Sequence, residues 1–318
     1  MNTKIAFFHF YDDQGTYRDN FIYFLSTAWN RDMDFVVVEA GKANISYPNL
    51  PNLTIITTNN INNDYGGYSQ SISILKNKLK FYDEFFFINS STRGPYLENL
   101  SKPWHDIFSE KLKDEVHLVG SSINILEPGC PDSKRYLSSH GGSEPFSHVQ
   151  TTAYAMSKKL FTRLLNSGFY DIEEQLDKLD VVFEYEIGLS QRVLQWGYNL
   201  DCILPKYSGL NYRTLDHDIN PTSRRGDPIR RKAYFGKTPK PSELMFIKTN
   251  RKLLSKFKLA IMTYKGLSQV EDEAILGWPE FHKLIRKSRR QIILSLIKLI
   301  AGVAGASAAA YSIWQSLF

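Results

Sequence analysis

The sequence predicts an α/β protein: a mostly parallel sheet flanked by helices, then a basic helical region and an apolar C-terminal tail. Three observations carry this. Short apolar or β-branched runs recur between turn residues over the first two thirds of the chain. Segments of amphipathic, helical pattern separate most of them, and that alternation builds parallel sheets. The far end differs in kind, since residues 291–318 carry a single charge, Lys298.

Residues 4–10 (KIAFFHF) read as a buried strand and residues 16–29 as an amphipathic helix. Residues 34–39 (DFVVVE) and 53–57 (LTIIT) are β-branched runs, hence strands. Helix is expected over 68–80, strand over 84–88 (EFFFI), helix over 104–112 and strand over 116–120 (VHLVG). Residues 126–147 break the rhythm. They are rich in Pro, Gly and Ser, without apolar period, and a loop of that length is usually functional. Order resumes with a strand at 151–156, helices at 157–167 and 185–196, and a strand at 199–204. Residues 214–242 are polar and basic, with Pro221, Pro228, Pro239 and Pro241.

A length of 318 residues is ample for a sizeable core. The 14% aromatic content suits strands and sugar-binding surfaces alike. Cys130 and Cys202 form no CxxC pair, which argues against a zinc site or disulfide framework. The run Ile5 to Phe10 is too short for a signal peptide, so the chain is expected to start in the cytoplasm. The net charge of +6 is concentrated beyond residue 222, beside the apolar tail. No nucleic-acid-reading module accompanies it, so nucleic acid is not an expected partner. The cationic run His282 to Arg290 precedes residues 299–318, which are long enough to span a bilayer. The tail is expected to anchor the chain at the cytoplasmic face of a membrane, either spanning it or lying in its interface. Packing onto the protein itself is the alternative.

Five constellations offer chemistry. Asn62 to Tyr68 lies between a strand and a helix, where ligands bind in open α/β sheets. There Gly66 and Gly67 permit close approach, the helix start favours phosphate, and Asn63 and Asp64 can bind a base or ribose. The same segment also reads as a plain capping turn. Next, the strand at 84–88 runs into Asn89-Ser90-Ser91-Thr92-Arg93-Gly94-Pro95. Amides and hydroxyls suit a sugar or phosphate but are poor ligands for Mn or Mg, which want carboxylates. Arg93 offers positive charge in place of a metal. Further on, Glu184 precedes the helix at 185–196 and Glu186 lies in its first turn, where the dipole favours an ionised carboxylate. Glu186 reads as a general base or as an ordinary N-terminal helix acid. His148 and Gln150 close the long loop, as an acceptor contact or as structure. Arg224 to Lys237 is a basic stretch fitted to a diphosphate, a lipid-linked acceptor or solvent.

In this order these segments resemble the rhamnan-synthesis F-type family of glycosyltransferases, over roughly residues 4–250. The resemblance rests on Asn63-Asp64-Tyr65-Gly66-Gly67, on Asn89 to Pro95, on His148 to Lys159 and on Tyr185 to Gln191. Glu186, Leu189 and Arg192 also resemble the Glu-Asp-x-x-Leu-x-x-Arg helix of synthase-like inverting enzymes. The resemblance implies a GT-A-like, Rossmann-type mixed sheet at 1–250; charge and hydropathy add a basic helical region at 251–290 and a membrane helix at 291–318. It implies transfer of a sugar, rhamnose or another hexose, from a nucleotide-diphosphate donor to a glycan or lipid-linked glycan. Asn63, Asp64, Gly66, Gly67, Asn89, Ser90, Ser91 and Arg93 would bind the donor. His148, Gln150 and Glu184 would face the acceptor, and Glu186 would be the base. The absent Asp-x-Asp motif leaves a divalent cation open. The other reading is a catalytically silent, membrane-bound sugar-binding or scaffold protein.

Overall fold

The computed structural model describes residues 2–97 and 102–304. The chain begins β1 (Lys4–Phe10), α1 (Thr16–Ala28), β2 (Asp34–Ala40), β3 (Leu53–Thr58), α2 (Asn63–Leu79), β4 (Glu84–Asn89) and β5 (Thr92–Arg93). It continues α3 (Trp104–Ser109), β6 (Val116–Gly120), β7 (Ile123–Leu126), α4 (Pro131–His140), β8 (Phe146–Val149), β9 (Ala153–Ser157) and α5 (Lys158–Asn166). Then come α6 (Lys178–Val181), a π-helical segment (Val182–Ile187), α7 (Gly188–Gln195) and β10 (Asn199–Cys202). The last elements are α8 (Pro241–Leu244), β11 (Ile247–Lys248), α9 (Lys256–Leu267), α10 (Glu273–Leu276) and α11 (Pro279–Ala304).

Seven strands form one sheet in the order β10-β6-β9-β4-β1-β2-β3. β1 runs parallel to β2 and β4, with Phe7 opposite both Val36 and Phe87. β9 alone is antiparallel, inserted between β4 and β6 with Phe87 opposite Tyr154. The expected mixed, mostly parallel sheet flanked by helices is therefore present. Side chains alternate across it with the period of two that strands impose. On one face Phe7, Phe87 and Tyr154 stack in a row at 5.2 and 5.1 Å. On the other, Phe8 stacks on Phe24 at 4.6 Å and Phe86 meets Trp104 edge-on at 5.3 Å. Much of the aromatic content is thus core. Both cysteines are buried and free.

The long segment 126–147 is ordered differently from the expected loop. β7 and β8 pair antiparallel, with Ile123 opposite Val149 and Leu126 opposite Phe146. Between them α4 starts on Pro131, capped by the Cys130 sulfur accepting from the Ser133 N–H. Only Ser133 and Tyr136 of α4 are buried, so the sequence carries no apolar period to announce it. Leu126, Cys130, Tyr136 and Phe146 close a small second core against Phe183 and Ile187. The excursion therefore braces the π-helical segment.

The C-terminal expectation is corrected. Phe281, Leu284, Ser288 and Ile293 of α11 are buried, and the helix packs against α9 and α1. The Lys287 ammonium meets the Asp19 carboxylate of α1 at 2.7 Å. No described helix is long and apolar enough to cross a membrane. The membrane helix, the membrane as a partner through it, and the location at the cytoplasmic face of a membrane are all withdrawn. The physical reason is that α11 mixes Lys283, Arg286, Lys287, Arg289 and Arg290 with an apolar stripe that the protein itself covers as far as Ile293. Residues 305–318 of the expected tail lie outside the described residues.

Candidate active site

In open parallel sheets the ligand crevice lies beyond the carboxyl ends of the strands. Here a cavity of about 350 Å³ opens at the ends of β1 and β4. His9, Tyr11 and Tyr17 line it from the β1–α1 side, and Asn60, Asn63 and Asp64 from the start of α2. The turn after β4 contributes Asn89, Ser90 and Ser91. Lys178, Glu186, Lys248 and Asn250 complete its lining.

The turn after β4 is fixed on every side. The Ser90 N–H donates to the His9 carbonyl at 3.0 Å, and the Tyr11 N–H donates to the Ser90 hydroxyl at 3.3 Å. Asn89 Oδ1 accepts from the Ser91 N–H and hydroxyl at 3.1 and 2.6 Å. Its amide donates to the Asp64 carboxylate at 3.1 Å, joining the first two constellations. Asp64 is 7% exposed. Burial raises its pKa, against the pull of the Asn89 hydrogen bond and the Lys248 charge.

α2 begins earlier than expected, at Asn63, after Asn62 and Asn63 take left-handed φ values of 54° and 51°. Asparagine tolerates that region better than most residues. The Asn62 side chain is anchored by the Glu174 carbonyl at 2.7 Å and the Leu176 N–H at 2.8 Å. Asp64 consequently points from a first turn rather than from a loop.

Glu186 sits within the π-helical segment, continuous with α6 and α7, so no helix N-terminus stabilises its charge. Its half-buried carboxyl is pushed up to about 7 by burial first and the Asp64 carboxylate second, while Lys248, Lys178 and Arg251 oppose. This corrects the expected ionised helix-start acid. A proton affinity near neutral suits a general base better. Phe183 and Ile187 on either side of it are held in the small core. His9 is also pushed down to about 4 by burial and is therefore neutral near pH 7.

Other expected site residues lie elsewhere. Gly66 and Gly67 are inside α2, where a Cβ would meet protein: the Ile61 carbonyl oxygen at 2.2 Å, and the His9 ring at 2.6 Å. Arg93 is 5% exposed and does not line the cavity. Its guanidinium donates to Asn20 Oδ1 at 2.8 Å and Thr263 Oγ1 at 2.9 Å, with the Asp19 carboxylate at 3.8 Å. Replacing it removes these bonds from a buried site, so Arg93→Met is expected to destabilise the fold by about 3–5 kcal/mol. Urea denaturation reads this directly, and an unchanged midpoint would refute it.

His148 is buried in β8, with Nδ1 placed to donate to the Phe146 carbonyl at 3.1 Å and Nε2 facing the Asn124 amide at 3.3 Å. Burial lowers its pKa. Gln150 accepts from the Ser122 hydroxyl and donates to Asp227 at 3.3 Å. Glu184 points to α4, where its carboxylate meets His140 Nε2 at 2.8 Å. None of the three lines the cavity.

Lys178, Lys248, Asn250, His9, Tyr11 and Tyr17 escaped the sequence reading. Lys248 arrives because β11 pairs antiparallel with β5, setting Lys248 opposite Thr92. The short apolar run Leu244 to Ile247 was the one local signal for that pairing. Among the described residues no group of three or more His, Cys, Asp or Glu is placed to hold a metal ion. Asp64 and Glu186 are the cavity's carboxylates, and two lysines share its walls. A divalent cation here would have only these two carboxylates beside a substrate's phosphates, and would share the cavity with two ammonium groups.

No protein-family model matches the sequence, and no curated protein matches it. Among solved structures, one similar chain is a glycosyltransferase involved in the glycosylation of the major capsid of PBCV-1. It is 14% identical, with a TM-score of 0.34, over 78% of this chain and 93% of that one. Another is the mannosyltransferase PcManGT from Pyrobaculum calidifontis, in complex with GDP-Man and Mn2+. It is 12% identical, with a TM-score of 0.36, over 99% of this chain and 79% of that one. The WbbM bifunctional glycosyltransferase, in its apo form, is 12% identical with a TM-score of 0.33, over 62% of this chain and 37% of that one. At these TM-scores none carries an argument about activity, and none assigns the chain to the rhamnan-synthesis F-type family.

Proposed function

We propose that the chain is a GT-A-like glycosyltransferase moving a sugar, rhamnose or another hexose, from a nucleotide-diphosphate donor to a hydroxyl of a glycan or lipid-linked glycan. One observation carries the reading. Asp64, Asn89, Ser90, Ser91 and Glu186, drawn from three separate segments of the chain, line one cavity beyond β1 and β4. Asn63 and Asp64 hold the nucleoside, and Asn89, Ser90 and Ser91 hydrogen-bond the sugar and diphosphate. Glu186, poised near neutral, takes the proton of the acceptor hydroxyl as its oxygen attacks the anomeric carbon. The bond from that carbon to the diphosphate oxygen breaks, its electron pair leaves on the diphosphate, and the configuration inverts. Gly66 and Gly67 serve the donor indirectly, by letting α2 close on β1. His148, Gln150 and Glu184, beyond the cavity, bear on the acceptor side indirectly, through the β7–β8 and α4 segments they hold.

The test is release of nucleoside diphosphate from a panel of nucleotide sugars offered with glycan acceptors. Acceptor-dependent release from at least one donor is expected. Binding of sugars without release from any donor would favour the silent sugar-binding protein.

A further inference from the structure

We infer that the departing diphosphate is neutralised by the ammonium groups of Lys248 and Lys178, so that this site works without a divalent cation. The inference rests on the donor reading above and concerns the charge that reading leaves unassigned. Arg93, the one cation beside the turn after β4 in sequence, is bound into the interior by Asn20, Thr263 and Asp19. Lys248 and Lys178 line the cavity instead.

Lys248 is half-buried and its backbone is fixed. β11 is paired to β5, and both the N–H and the hydroxyl of the next residue, Thr249, donate to the Ser91 carbonyl at 3.0 Å. Asn20 ties the two segments together, donating to the Ser90 carbonyl at 2.8 Å and to the Thr249 hydroxyl at 3.0 Å. The lysine is therefore held beside Asn89, Ser90 and Ser91 by the fold. Lys178 is exposed and also lines the cavity, one residue after Asp177, whose carboxylate caps α6 through the Leu179 and Asp180 N–H groups. Neither ammonium makes an ion pair or hydrogen bond among the described residues. Lys111, Lys158, Lys283 and Lys287, by contrast, each face a carboxylate within 4.0 Å.

A divalent cation placed here would be opposed by two ammonium groups, and the two carboxyls open to it both have raised proton affinity. A diphosphate would meet complementary charge. As the glycosidic bond to the diphosphate oxygen breaks, negative charge grows on that oxygen. Lysine N–H groups then strengthen their hydrogen bonds to it without giving up a proton.

Calorimetric titration with inorganic pyrophosphate, UDP, GDP and dTDP tests this, in EDTA and separately in manganese. At least one nucleoside diphosphate is expected to bind in EDTA, with manganese changing its affinity by no more than about twofold. Lys248→Met should weaken that binding about tenfold or more, and Lys248→Arg should largely restore it. Lys178→Met, at an exposed position, should weaken it by about two- to fivefold and guards against a folding defect at Lys248. Binding that requires manganese, binding indifferent to both methionine variants, or no binding by any probe would overturn the inference. Lysine-dependent binding without transfer from any donor would leave it standing and remove the transferase reading. Transfer that stops in EDTA would do the reverse.

Discussion

Glu186→Gln is expected to cut sugar transfer by about 10²–10⁴-fold while nucleoside diphosphate binding persists. The amide keeps the size and hydrogen-bonding reach of the carboxylate but cannot accept the acceptor's proton. The same change should stabilise the fold above neutral pH. The Glu186 carboxyl is raised from 4.5 to about 7 in the folded chain. The folded form therefore binds this proton more tightly than the unfolded chain does. Stability contributed by the proton is present at low pH and is lost as pH rises through about 7. Glutamine is never ionised, so above that pH it should recover roughly 1–3 kcal/mol. Urea midpoints of the two proteins, compared on either side of neutrality, give the stability half of the prediction. Turnover near normal, or a variant less stable than the parent at high pH, would remove Glu186 from the role.

Gly66→Ala is expected to cost about 3 kcal/mol or more of stability, at or beyond the usual range for overpacking. Its Cβ would lie 2.2 Å from the Ile61 carbonyl oxygen and 3.0 Å from the carbonyl carbon. These are backbone atoms, so the first turn of α2 must move away from the preceding loop. Gly67→Ala should cost about 1–3 kcal/mol, because the His9 ring at 2.6 Å and the Val38 methyl at 2.8 Å are side-chain atoms that can shift somewhat. Both changes displace Asn63 and Asp64, so nucleotide binding should weaken along with the melting temperature. A Gly66→Ala protein with parental melting temperature would show that the helix start tolerates the displacement.

These two glycines also show what the sequence can and cannot reveal. Gly66-Gly67 reads as a phosphate-approach turn when only the local pattern is visible, yet both residues lie inside a helix packed on β1 and β2. The strands of the seven-stranded sheet were legible because strand burial leaves a dense local mark: KIAFFHF, DFVVVEA and EFFFIN are each mostly core. α4 was not, since its apolar contact with the rest of the chain rests mainly on Tyr136. The antiparallel setting of β9 follows from the β7–β8 hairpin before it, which the turn-rich composition of 126–147 concealed. In the cavity, Asp64, Asn89, Ser90, Ser91 and Glu186 could each be named from local motifs. Lys248 could not, because its position depends on a two-residue strand pairing across the chain. The environment of Glu186 was likewise invisible: its raised proton affinity comes from burial and from Asp64, both products of tertiary packing. The start of the expected membrane helix misled because hydropathy does not say which surface an amphipathic helix will cover, and α11 lays Phe281, Leu284 and Ile293 against the protein.

The central claim is that a carboxyl tuned to neutrality by this cavity accepts the acceptor's proton. The pH dependence of kcat/KM for sugar transfer tests it most directly, because that ratio reports groups of the free enzyme. The rate should climb with pH, inflect at about 7 and level off above it. A profile flat across that region, or an inflection near the ordinary glutamate value of 4.5, would contradict the account.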